Sequence, residues 1–116
     1  MFSKKILDKI NFIAELLTDD IIISDEQNLM KLLVQDTIAS TSVNSVEFRV
    51  IVGNRSGETV VIDWTNAPVT SQSDIFEAQY TPTFTDESKA ELEVKITDTD
   101  SNIYLVQNPN INLKVL

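Results

Sequence analysis

The feature that most constrains this chain is a change of hydrophobic period near residue 40. Before it, apolar residues recur at helical spacing: Ile6, Ile10, Ile13 and Leu17 form one stripe, reinforced by Leu7, Ala14 and Leu16. Ser3 stands where a helix N-cap would, and Lys4, Lys5, Asp8, Lys9 and Glu15 fill much of the opposite side. Thr18-Asp19-Asp20 ends the pattern, and Ile21-Ile22-Ile23 is a short β-branched run. Ser24-Asp25-Glu26-Gln27 then has the form of a capping box, with Asp25 and Glu26 suited to the positive end of a helix dipole. It opens a second predicted helix carrying Leu29, Met30, Leu32, Leu33 and Val34, which fades near Ile38-Ala39. The composition shifts at Ser40-Thr41-Ser42.

Beyond that point the period is two. Val46, Phe48, Val50 and Val52 alternate with Ser45, Glu47, Arg49 and Ile51, the pattern of a strand with one buried face. Residues 53–57 hold both glycines of the chain and predict a turn into a second strand, Glu58 to Trp64. A third strand is expected over 75–84, where Pro82 marks an edge or a bend. The fourth has the clearest alternation, Ala90, Leu92, Val94 and Ile96, and two shorter ones follow over 103–107 and from Ile111. Strands at this spacing read as an antiparallel sandwich. The expected fold is therefore α+β. A helical docking segment of two helices over residues 1–40 precedes a six-stranded antiparallel, immunoglobulin-like β-sandwich over 43–116.

The side-chain inventory narrows the function. The chain has no cysteine and no histidine, and 18 acidic residues against 9 basic ones give a net charge of −9. Thiol or imidazole catalysis, Cys/His zinc sites and disulfides are excluded. The serines have neither a histidine base nor a Ser-x-x-Lys partner, and neither glycine precedes the Lys-Ser/Thr of a phosphate loop. Asp19/Asp20, Asp25/Glu26 and Asp86/Glu87 sit at predicted caps and turns, whereas glycoside hydrolysis needs carboxyls facing across a cleft. No catalytic residue is assigned. The negative balance opposes nucleic acid and anionic membranes as partners. No segment approaches the roughly 18–20 apolar residues of a membrane span. Lys4 and Lys5 imitate the start of a secretory signal, but Asp8, Lys9, Asn11 and Glu15 break the stretch that follows, so folding in a cytosol is expected. Lys4, Lys5 and Lys9 read as a solvated helix face.

Two segments carry candidate chemistry. Asp98-Thr99-Asp100-Ser101-Asn102 begins like an EF-hand loop, yet Ile103 and Pro109 occupy the glycine and glutamate positions. A polar hairpin turn is the expectation, and a weak calcium site completed by Asp86 or Glu87 the alternative. No metal or cofactor is assigned. Trp64 beside Asp63 has the composition of a sugar-stacking platform, but a lone tryptophan at a strand end is expected to anchor the core, with the acid pointing the other way.

Val60-Val61-Ile62-Asp63-Trp64 ends a strand on an acid–aromatic pair. Tyr80-Thr81-Pro82-Thr83-Phe84-Thr85-Asp86 then leads into the alternating strand over 90–97. These elements resemble immunoglobulin-like modules of the PKD (polycystic kidney disease domain) type, although Thr65-Asn66-Ala67 replaces that family's Gly-Asp-Gly turn. The resemblance implies a binding or spacer unit instead of an enzyme. Immunoglobulin-like modules are common in virions of tailed bacteriophages, which assemble in the host cytoplasm and need no signal peptide. The expected function is therefore a non-enzymatic structural or assembly protein, an accessory head, neck or tail component of such a virion. It would act through protein partners in its own assembly, as a homo-oligomer or part of a larger complex. The candidate contact residues are Ile6, Ile10, Ile13 and Leu17 of the first stripe and Leu29, Met30 and Leu33 of the second; some of these must serve the chain's own core. An acidic cytosolic binding or inhibitor module is the alternative, with a weak calcium- or glycan-binding domain third.

Overall fold

The computed structural model describes residues 12–36, 43–54, 57–85, 87–106 and 112–116. They form nine strands: β1 (Phe12–Leu16), β2 (Ile21–Ile22), β3 (Asn28–Asp36), β4 (Val43–Asn54), β5 (Gly57–Asn66), β6 (Ile75–Tyr80), β7 (Lys89–Asp98), β8 (Ile103–Val106) and β9 (Asn112–Val115). A three-stranded sheet has the order β1-β3-β6, and a six-stranded sheet runs β2-β9-β7-β4-β5 with β8 also paired to β7. All these pairings are antiparallel except that of β2 with β9. Strands β8 and β9 share one edge of β7, with a register change of three residues between them.

The strands after residue 43 follow from alternation. Val46, Phe48 and Val50 on β4 and Ala90, Leu92, Val94 and Ile96 on β7 all turn inward and are buried. Met30, Leu32 and Val34 on β3 meet them from the other sheet in one continuous apolar cluster. Phe48 lies at its centre and packs edge-on against Tyr80 at 5.4 Å. The least dimension of the molecule, 18 Å, is that of two face-packed sheets with their outer side chains.

The N-terminal expectation is overturned. Among the described residues there is no helix, so the fold is not α+β; the part of 1–40 that is described, residues 12–36, is three strands and their connections. β3, read as a helix, is the middle strand of its sheet, paired along its length with β1 and β6. Hydrogen bonds to residues 75–80 and burial against β4 outweigh local helix preference, which is weak beside tertiary packing. The apparent capping box is a turn. Asp25 has φ 66°, and its N–H donates to the Pro82 carbonyl at 2.7 Å. The Ser24 hydroxyl oxygen accepts from the Phe84 N–H instead of a helix amide. Asn28 closes the turn, accepting from the Ile23 N–H and donating to the carbonyls of Ile23 and Glu26. The expected third strand stops at Tyr80, and residues 81–84 strap across this turn, with Pro82 and Phe84 buried.

Candidate interaction surface

Alternation along the three-stranded sheet sorts its side chains into two faces. Ala14, Leu16, Met30, Leu32, Val34 and Phe76 face the core. The opposite residues form a grid on the outer face, fixed by the register. Leu17 continues the β1 ladder, its N–H bonded to the Lys31 carbonyl at 2.8 Å, and Lys31 lies opposite Glu77. Glu15, Leu33 and Ile75 form the next row, Ile13 pairs with Gln35, and Leu29 with Gln79. Ile13 is 52% exposed, and Leu17 and Leu29 are 42% exposed. Leu33 and Ile75 are half-buried. Among the described residues the one ion pair on this face, Lys31 with Glu77 at 3.9 Å, is long and solvated.

Four of the seven contact residues expected from sequence, Ile13, Leu17, Leu29 and Leu33, thus meet on one sheet face. Met30 does not join them: it points inward and is buried. Ile6 and Ile10 lie outside the described residues. A second exposed apolar pair escaped the sequence reading, Ile103 and Leu105 on β8, at 64% and 58% exposure. Its signal was present as alternation in a four-residue strand, too short to say which face is covered.

The other two candidates resolve into structural devices. Asp98 is buried at the end of β7. One carboxylate oxygen accepts from the N–H groups of Asp100 (2.8 Å) and Asn102 (2.9 Å). The other accepts from the Asn102 side-chain amide (3.2 Å) and the Tyr104 hydroxyl (2.9 Å). Desolvation pushes its pKa up, but these bonds outweigh it and hold the carboxyl below its ordinary value. The carboxylate therefore organises its own turn, in which Ser101 takes φ 69°. Of the residues proposed to complete a calcium site, Glu87 accepts from Thr85 and Asp86 lies outside the described residues. Among the described residues no group of three or more acids is placed to hold a metal ion.

Trp64 is not a core anchor. It stands half-buried on the outer face of the larger sheet, where the register of β4 slips against β5. Such a bulge re-aims side chains. The Arg49 guanidinium carbon lies 4.8 Å and the Lys95 ammonium 4.4 Å from the ring centroid. Arg49 donates in turn to Glu93, and Lys95 pairs with Glu47 at 3.3 Å. A sugar would meet an indole already stacked against two cations. The set instead ties β4, β5 and β7 together across their outer face, each cation–π contact contributing about 0.5–1 kcal/mol.

No protein-family model matches this sequence, and comparison with curated proteins returns no match. Solved structures are similar in fold. A superoxide reductase (neelaredoxin) from Ignicoccus hospitalis superposes with TM-score 0.55 at 8% identity, over 89% of this chain and 80% of that one. A single-residue variant of the same protein gives 0.57, also at 8% identity, over 97% and 87%. The CARDB domain of the PF1109 protein from Pyrococcus furiosus, solved with di-metal ions, gives 0.44 at 14% identity, over 90% and 87%. At such identities the likeness to the reductase is one of fold alone.

Proposed function

We propose that this chain is a non-enzymatic β-sandwich module that acts by presenting the outer face of β1-β3-β6 to protein partners, in an assembly of like or unlike subunits. The observation that carries the reading is the gathering of Ile13, Leu17 and Leu29, all more than two-fifths exposed, around half-buried Leu33 and Ile75 on one sheet face. The register interleaves these apolar side chains with Glu15, Lys31 and Glu77, a mixed apolar and charged surface of the kind found at non-obligate protein contacts. Superoxide reduction is not carried over from the structural neighbour. Redox iron in proteins is commonly held by imidazole or thiolate, and this chain has neither. The narrower reading, an accessory component of a tailed-bacteriophage virion, rests on the sequence resemblance of residues 60–64 and 80–86 to PKD-type modules.

The test is association measured by light scattering across a concentration series, for the wild type and a Leu17→Glu/Leu29→Glu variant. Self-association that the variant abolishes, with an unchanged β-sheet circular dichroism spectrum, is the expected result. A wild type that stays monomeric, and whose incorporation into the particle or complex of its source is unaffected by the same replacements, would overturn the proposal.

A further inference from the structure

We infer that Lys89, Lys114 and Ser88 form a site for a small, doubly charged oxyanion of the phosphate class. In a chain of net charge −9, cations are scarce, and most of those described are already engaged. Lys31 pairs with Glu77, Arg49 with Glu93 and Lys95 with Glu47. The two remaining described cations, Lys89 and Lys114, reach no carboxylate within ion-pair distance among the described residues. They are not scattered: the β7–β9 register sets them directly opposite one another. Both are exposed, and with Ser88 and Leu113 they line an open hollow of about 430 Å³.

Directly opposed side chains have Cβ atoms only about 5 Å apart, and like charges so placed repel. Two flexible ammonium groups on such a base can converge on one anion, which would cancel the repulsion. Ser88 adds a hydroxyl donor at the rim, and its main chain is fixed by the Val115 N–H bonded to its carbonyl at 2.9 Å. Of the described acids nearby, Glu87 accepts from Thr85. Glu91, next outward on β7, sends Oε1 toward β4, 3.8 Å from where a Cβ on Gly53 would lie. Asp20, on the other flank, meets Lys114 through its backbone carbonyl, which accepts the Lys114 N–H at 2.8 Å. The inference is independent of the outer face of β1-β3-β6, which belongs to the other sheet.

The probe is inorganic phosphate, titrated into isotope-labelled protein at constant ionic strength against chloride. Saturable amide shifts confined to Ser88, Lys89, Leu113, Lys114 and their neighbours are expected, with a rise in melting temperature. Lys89→Gln or Lys114→Gln weakens binding by up to about thirtyfold each, the factor for one unit charge against a dianion at about 4 Å in water. Lys31→Gln leaves binding unchanged. Lys114→Glu, which turns the repelling pair into an attracting one, raises the melting temperature in chloride and abolishes the response to phosphate. Absence of saturable shifts beyond those in chloride would overturn the inference, as would equal shifts in a Lys89→Gln/Lys114→Gln variant.

Discussion

Asp98 shows how one buried carboxylate can serve structure while resembling a ligand. Its four hydrogen bonds are all made to the charged form, so protonation removes what holds the β7–β8 turn. Because the folded-state pKa lies below the ordinary value of 3.8, the group's contribution to stability is fully present above that value. It is lost as pH falls below 3.8 through the folded pKa. Asp98→Asn keeps the shape but turns one acceptor into a donor that faces N–H groups. Urea unfolding at pH 7 is expected to show the variant less stable than the wild type, with the gap narrowing as pH drops below 4. A gap that stays constant from pH 7 to pH 2 would mean that the carboxylate's charge is not what the turn uses. Melting temperature is expected to be indifferent to calcium, since this carboxylate is already occupied.

Asn28 is the clasp of the β2–β3 connection, where the sequence predicts a helix start. Asn28→Ala removes three hydrogen bonds and releases the 23–28 turn, at an expected cost of about 1–2 kcal/mol in denaturant unfolding. Asn28→Asp keeps the acceptor for the Ile23 N–H but sets a carboxylate oxygen against the Ile23 and Glu26 carbonyls, so it should be no more stable than Ala. The same residues explain what could be read in advance. Val46 to Val52 and Ala90 to Ile96 carry apolar residues on one face and mostly polar ones on the other, so a period of two is visible. β3 has Met30, Leu32 and Val34 inside but Leu29 and Leu33 outside, and apolar residues on both faces mimic a helical stripe. Its partner β6 lies more than forty residues downstream, and no local window contains it. Ile13, Leu17, Leu29 and Leu33 share one face for a geometric reason. Ile13/Leu17 and Leu29/Leu33 are spaced by four, which keeps a pair on one side of a helix and also, being even, on one side of a strand. Met30, one residue from Leu29, flips to the interior. Trp64 was misplaced because a bulge carries no sequence signature of its own here.

The connectivity of the whole molecule sets how it is assembled. β4 and β5 meet through a short hairpin, with Asn54 opposite Gly57, and β7 folds directly onto β8. β2, by contrast, joins its sheet by parallel pairing to β9, Ile21 opposite Lys114, from the far end of the chain. Loop closure across such a distance must be completed before its contacts repay the entropy. We therefore expect folding in milliseconds to seconds, with a nucleus in β4, β5 and β7 and the β2–β9 pair closing late. Phe48 sits in the proposed nucleus and Leu113 on the late strand, both buried. Leu113→Ala should cost about 2–5 kcal/mol. If β9 docks after the transition state, nearly all of that cost appears as faster unfolding, about 30-fold or more, with the folding rate hardly changed. Phe48→Leu, a smaller truncation that keeps the core filled, should instead slow folding. Stopped-flow chevrons in urea separate the two cases. A Leu113 variant that folds slowly while unfolding at the wild-type rate would place the chain ends in the nucleus and reverse this order.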